Sequence, residues 1–256
     1  MRLRALTTRL LLAAVLLVTG SLVSPLFAAS SEIFASLERP PIPAEVEALL
    51  VRGVRLFDFD LDQKGAAASA AAIKAGGAKI SAYHIGGGGG RAWGSVKAGE
   101  FVRYYNDPKS FLALTADVRR LVGLGADVIH FDNTHRMSGR RLEAVADAIV
   151  AGGAGFVAKN NPDKWRLVME RRPDLKPAYA LVEDAMFDAD ETQAAYELFA
   201  KGVEVYIVGF RKPIEPDVPA VTDAYAEAYE RVNPWCHVIL MDDEQYFDTR
   251  TARFIE

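Results

Sequence analysis

The sequence predicts an α/β protein, a (β/α)8 TIM-like barrel whose first strand is degenerate. Three observations predict it. Short apolar runs recur along the chain and each closes on a polar or glycine residue. Stretches with helical patterning separate these runs, and glycine stands where several of the helices would end. Strands buried on both faces read as continuous apolar runs, and strand–helix alternation throughout implies a parallel sheet.

In chain order the runs are 54–60 (VRLFDFD), 79–86 (KISAYHIG), 127–133 (DVIHFDN), 155–160 (GFVAKN), 179–183 (YALVE), 203–210 (VEVYIVGF) and 237–242 (HVILMD). Helical patterns fill 65–75, 110–124, 139–151, 163–171, 190–200 and 218–231. The helix-ending glycines lie in "KAGGAKI", "LVGLGADVI", "VAGGAGFV" and "AKGVEVY". An eight-fold barrel needs one further strand, and 31–37 (SEIFASL), just ahead of the proline-rich "ERPPIP", supplies it. The alternative architecture is an open doubly wound sheet.

Residues 1–29 have the layout of an export signal: Arg2, Arg4 and Arg9 precede an apolar stretch over 10–18, and small residues follow at 28–30. The stretch is short for a spanning helix, which needs roughly 20 apolar residues. Cleavage is expected near Ala28 or Ala29, with residues 30–256 forming a single domain. The expected location is periplasmic or secreted, with no stable membrane insertion after cleavage. No Cys follows the apolar run, which argues against a lipoprotein. Cys236 is the only cysteine, so no internal disulfide forms and core burial alone must stabilise the domain. In "NPWCHVIL" Cys236 reads as a small buried hydrophobe rather than a nucleophile.

The chain has 256 residues, 50% of them hydrophobic and 25% charged, enough for a sizeable core. Its net charge of -4 is spread along the chain rather than blocked, so no electrostatic footprint for nucleic acid is present.

Parallel α/β folds place functional residues at the carboxyl ends of strands. Those ends carry Asp58 and Asp60, Tyr83 and His84, Asp132 and Asn133, Lys159 with Asn160 and Asn161, Glu183 and Asp184, and Asp242 and Asp243. This rim of acids, amides and one lysine suits polar, hydroxyl-rich or amine-bearing ligands. Asp132 and Glu183 end strands two βα units apart, so in a closed barrel they converge over the mouth. Glycosidic cleavage requires two such carboxylates. The competing reading makes both of them N-caps of the following helices.

Lys159 ends a buried strand, where an ammonium is costly unless it reaches a carboxylate or solvent, so it is expected to lean towards Asp132 or another rim acid. The competing reading is a snorkelling lysine. In "YHIGGGGGRAW" the glycines at 86–90 open into no evident helix and no phosphate-loop lysine follows. That argues for a rim loop carrying Arg91 and Trp93, with Trp93 as a sugar-stacking platform or else a core tryptophan. No transition-metal cluster is legible and no cofactor is expected. His135 reads as a loop residue, and "MDDEQYFD" lacks the order of a calcium-binding loop. No nucleophile-elbow motif is present.

Over about Val54 to Phe210 the sequence resembles glycoside hydrolase family 114, the endo-α-1,4-polygalactosaminidase-like barrels. The family pattern runs from a strand ending in Asp through "kviCYfsaG", "GfDgvepDN" and "glKN" to a strand ending in "E". This chain offers "RLFDFD", "KISAYHIGGGGGRAW", "GADVIHFDN", "GFVAKN" and "YALVED" in that order. The resemblance implies an exported glycoside hydrolase acting on α-1,4-linked galactosamine-rich polysaccharide. Asp132 and Glu183 would then be the catalytic pair, and Asp58, Tyr83, Asn133, Lys159 and Asn160 would line the site. Three departures stand out. The glycine run and Arg91 replace the family's Glu after "saG", the later strand end reads "IVGF", and the first strand's usual Trp is not recognisable. The alternatives are a carbohydrate-binding pseudoenzyme of the same fold and a structural barrel in an envelope assembly.

Overall fold

The computed structural model describes residues 33–37, 39–85, 108–132, 134, 137–183, 185, 188–210, 231–232 and 234–241. The export-signal segment, the glycine run, most of the helical pattern over 218–231, and Arg91, Trp93, Asn133, His135, Asp184, Asp242 and Asp243 lie outside the described residues.

The strands are β1 (Ile33–Ser36), β2 (Val54–Phe59), β3 (Lys79–Ile85), β4 (Val128–Asp132), β5 (Gly155–Lys159), β6 (Tyr179–Glu183), β7 (Val205–Phe210) and β8 (His237–Met241). Between them lie α1 (Pro43–Val51), α2 (Ala66–Ala75), α3 (Pro108–Gly123), α4 (Gly139–Gly152), α5 (Pro162–Arg171) and α6 (Ala189–Ala200). All strand pairs are parallel and the spatial order is the sequence order, β1 to β8. A doubly wound sheet reverses its strand order at a switch point. No reversal occurs here, so that alternative is set aside. Pairings run from β1–β2 to β7–β8, and none joins β8 to β1 among the described residues.

The sheet curls. Ser81 on β3 and Tyr179 on β6 lie three strands apart, roughly 14 Å in a flat sheet. Yet their hydroxyls are 2.8 Å from each other. The arrangement is a curled parallel sheet of TIM-barrel type with helices on its outer face.

Two apolar sets follow from the two-residue period of strand side chains. Phe57, Ile80, Ile129, Phe131, Phe156, Val182 and Ile207 face outwards and pack with Ile73, Val118, Leu121, Leu142, Ile149, Trp165 and Leu198 of the helices. Leu56, Val128, Val157, Tyr179, Leu181, Tyr206 and Val208 form a second, inner cluster. Two residues further along the same strands the inward positions become Asp58, His130, Lys159 and Glu183, while Ser81 leads to Tyr83 and His130 to Asp132. The interior therefore changes from apolar to ionisable towards the carboxyl ends of the strands. That change positions the site.

The first strand, Ile33–Ser36, falls inside the expected 31–37 segment and shifts register between Ile33 and Phe34. Helix α1 is absent from the sequence reading because Pro40, Pro41 and Pro43 obscure it. Proline is at home in a first helical turn, where its missing N–H would have no partner. Pro43 occupies that turn, and Glu45 accepts the Ile42 N–H at 3.0 Å while pairing with Arg39. Among the described residues no helix is long and apolar enough to cross a membrane.

Close packing of α3 on α4 depends on Gly152. A Cβ built there would lie 2.3 Å from Val118 Cγ1 and 2.6 Å from Val118 Cβ. Gly152→Ala is expected to destabilise the fold by about 1–3 kcal/mol, as overpacking does. The check is a lower urea midpoint at unchanged slope; a midpoint equal to that of the parent protein would refute it.

Candidate active site

Lys159 closes β5 and its side chain is only 3% exposed. Its backbone carbonyl accepts from Thr134 Oγ1 at 2.6 Å and from Trp165 Nε1 at 3.3 Å, which fixes the residue from α5 and from the loop after β4. The ammonium reaches Glu183 Oε1 at 2.5 Å and lies 3.8 Å from Asp132 Oδ1. The expectation that this lysine leans towards the rim acids therefore holds, and Glu183 is its nearer partner. A buried ammonium without such partners would carry a large desolvation penalty.

Glu183 is further held by Asn160. The Glu183 N–H donates to Asn160 Oδ1 at 3.0 Å, and Asn160 Nδ2 donates to Glu183 Oε2 at 2.9 Å. Asn160 has φ +48°, a left-handed conformation that asparagine tolerates better than most residues. The reciprocal pair offsets the cost of that conformation and locks the end of β5 to the end of β6.

Asp132 receives the Tyr83 hydroxyl at 2.5 Å. Burial of the Tyr83 phenol, then the charge and hydrogen bond of Asp132, and then Asp58 and Glu183, push its ionisation far above the ordinary tyrosine range. Tyr83 therefore remains a donor at any physiological pH. The Asp132 and Glu183 side chains are 21% and 34% exposed, open enough for a ligand to reach.

Five residues singled out from sequence, Asp132, Glu183, Tyr83, Lys159 and Asn160, thus meet in one place. Neither carboxylate occupies the N-cap position of the described helices that follow. The cap of α6 is Asp188, whose side chain accepts from the N–H groups of Asp190 and Glu191, while Ser138 and Asn161 occupy the N-cap positions of α4 and α5.

Asp58 departs from expectation. It was expected to line the site, but it is 1% exposed and lies within β2 rather than on the rim. Its Oδ2 accepts from Ser36 Oγ at 3.1 Å and meets His130 Nδ1 at 2.9 Å. His130 is the residue that strand-end reading missed. It faces inward two positions before Asp132, and its signal is the two-residue period counted back from a candidate acid.

His84 points away from the site, with its Nε2 3.3 Å from Asp117 on α3 and its ionisation lowered by burial. Asp60, raised by burial, lies in that same charged group. Cys236 is buried, and desolvation pushes its thiol up to about 12, so it is no nucleophile at neutral pH.

Around the site the described residues place three carboxylates, Asp58, Asp132 and Glu183, against the single ammonium of Lys159 and the imidazole of His130. By formal charge these described groups are anionic.

No family model matches the chain, and no curated protein matches it. Among solved structures it is similar to the carboxyl transferase domain of Rhizobium etli pyruvate carboxylase, at 11% identity over 82% of this chain and 39% of that one, with a TM-score of 0.48. It is also similar to 3-keto-L-gulonate-6-phosphate decarboxylase from Vibrio cholerae, at 13% identity over 82% of this chain and 87% of that one, with a TM-score of 0.46. A third is the spore cortex-lytic enzyme of Bacillus cereus, at 9% identity over 78% of this chain and 57% of that one, with a TM-score of 0.45. The chain thus spans about two-fifths of the carboxyl transferase chain and under three-fifths of the cortex-lytic enzyme.

Proposed function

We propose that this protein is an exported glycoside hydrolase of a closed (β/α)8 barrel that resembles family 114 and cleaves α-1,4-linked galactosamine-rich polysaccharide. The observation that carries the reading is the bracket formed by Asp132 and Glu183, carboxylates on strands two apart, around the buried ammonium of Lys159. The anionic balance of the site favours a polymer whose sugars carry ammonium groups.

The two carboxylates take different parts. Asp132, aligned by a phenol that stays protonated, is assigned as the group that attacks the anomeric carbon. Glu183 is assigned as the group that delivers a proton to the leaving oxygen, a proton it takes up in the substrate complex against the pull of the Lys159 ammonium 2.5 Å away. A proton on Glu183 ends its attraction for Lys159 and leaves the ammonium to Asp132, which keeps the attacking carboxylate ionised. In the first step the Asp132–carbon bond forms as the glycosidic C–O bond breaks and the Glu183 proton passes to the departing sugar. Glu183 then takes a proton from the water that hydrolyses the glycosyl ester.

The carboxyl separation supports the same chemistry. With Lys159 Nζ 2.5 Å from Glu183 Oε1 and 3.8 Å from Asp132 Oδ1, these two oxygens must lie closer than the roughly 6.5 Å at which inverting pairs begin. That bound is compatible with a retaining pair, and with Asp132 as the attacking group hydrolysis is expected to retain the anomeric configuration, with α-galactosamine ends appearing first when the reaction is followed by proton NMR. First products of the opposite anomer would refute that mechanism. The function itself is tested by incubating purified protein with deacetylated galactosaminogalactan. Release of short oligosaccharides is expected, and a protein that binds the polymer without releasing any is a binder and not a hydrolase.

A further inference from the structure

Beneath the catalytic pair sits a polar unit to which the proposed reaction assigns no step. Asp58 and His130, 1% and 3% exposed, come from strands β2 and β4 and meet at 2.9 Å. Each has one buried atom, Asp58 Oδ1 and His130 Nε2, that meets no hydrogen-bond partner among the described residues. Such orphaned atoms each cost free energy that an apolar pair of similar shape would not. A cost of this kind is usually tolerated where the groups serve a site.

What they touch indicates the use. The His130 ring packs edge-on against Tyr83, with centroids 5.0 Å apart and planes at 80°. Tyr83 in turn donates to Asp132. Ser36 holds Asp58 from β1. A continuous line thus runs from Ser36 through Asp58, His130 and Tyr83 to Asp132, and it draws on strands β1 to β4. Every member is an inward-facing side chain. Asp58 also acts directly on Tyr83, since its charge is one of the influences that keep the phenol protonated.

We propose that Asp58 and His130 are positioning residues: the pair fixes the Tyr83 ring so that its hydroxyl stays aimed at Asp132. The proposal rests on Asp132 being the working carboxylate. It departs from the expectation that Asp58 contacts substrate, because neither Asp58 nor His130 is exposed enough to do so.

The test uses the full-length protein and the variants His130→Gln, Asp58→Asn, Tyr83→Phe and the double variant His130→Gln with Tyr83→Phe. Loss of alignment is expected to lower kcat about 10- to 100-fold with KM changed less than about 3-fold, the scale at which small misplacements act. The acid limb of the kcat/KM profile should move up by roughly half to one pH unit in His130→Gln and Tyr83→Phe, since Asp132 loses a well-aimed donor to its charged form; Asp58→Asn also removes a like charge and is read from kcat and KM. A merely structural role would lower the active fraction and leave the limb in place. The double variant should be no slower than Tyr83→Phe alone, because residues acting through one another are not additive.

Losses that multiply, or a raised KM at unchanged kcat, would overturn the proposal. Should His130→Gln not fold, the nearly isosteric Asp58→Asn carries the same outcomes for kcat and KM, and Tyr83→Phe carries the pH limb. If the parent protein cleaves no polysaccharide, it is the proposed function that fails. The positioning claim is then read from protein labelled with carbon-13 at tyrosine Cζ, where the Tyr83 resonance should shift in both His130→Gln and Asp132→Asn. A resonance unmoved by His130→Gln refutes the positioning role on its own.

Discussion

Replacing Asp132 with asparagine is expected to lower the rate of polysaccharide cleavage by at least about 10³-fold, some 4 kcal/mol of lost transition-state stabilisation, while leaving polymer binding intact. The geometry explains why the loss falls on rate. Asparagine fills the same volume and its Oδ1 still accepts from Tyr83, which donates to Asp132 at 2.5 Å. What disappears is the charge that attacks or stabilises the sugar carbon. The same change in a site that only binds sugar would weaken affinity and leave no rate to lose. Azide adds a second reading. In Asp132→Gly the small anion should enter the vacated space and restore turnover, leaving a glycosyl azide of opposite configuration to the substrate. Glu183→Gln should behave differently, keeping most of its activity on a substrate whose leaving group needs no proton and losing it on the natural polymer. If both variants lose both substrates equally, the division of labour between the two acids is wrong. If Asp132→Asn cleaves normally, the site lies elsewhere.

Most of the scaffold is legible because strand and helix differ so plainly in period and punctuation. Runs such as "DVIHFDN" and "GFVAKN" are buried on both faces, and the strands at 128–132 and 155–159 fall inside them. The left-handed Gly153 stands after α4 as the "VAGGAGFV" punctuation implies. Helix α1 escaped because three prolines read as loop, although one of them only starts the helix.

At the site, Lys159 was legible because a lysine closing an apolar strand admits few explanations. His130 was not, because a histidine within an apolar run resembles a satisfied core residue until its partner is known. That partner, Asp58, lies 72 residues away along the chain, and only the parallel pairing of β2, β3 and β4 brings the two within reach. The same pairing moves Asp58 from the rim, where strand-end reading placed it, to the layer below. Strand ends reveal which residues can meet a ligand. The layer beneath needs the register.

Substituting Lys159 by methionine tests the electrostatic core of the site. The side chain is nearly isosteric and almost wholly buried, so the change removes the ammonium with little change in packing. Glu183 and Asp132, which face that ammonium at 2.5 Å and 3.8 Å, then face one another without a cation between them. Two carboxylates sharing a site cannot both ionise easily, so without the cation the pair holds its first proton more firmly, and the second proton, which silences Asp132, is taken up at a higher pH than in the parent protein. The acid limb of kcat/KM is expected to rise by roughly one to two pH units; both groups are partly exposed and solvent screens the rest. At neutral pH the rate should fall about 10²-fold, because the attacking carboxylate is less often ionised and no longer held in line.

Stability should respond with the opposite slope to an ordinary salt bridge. In the variant the shared carboxyl binds its proton more tightly when folded than when unfolded. The folded state is therefore favoured below the unfolded carboxylate range, and this advantage is lost as pH rises through the higher folded value. Urea midpoints measured from pH 4 to pH 8 should consequently bring the variant closer to the parent protein at the acid end and leave it furthest behind at the alkaline end. A variant whose rate profile and midpoints run parallel to those of the parent across that range would show that Lys159 neither sets the charge of the pair nor holds it in place.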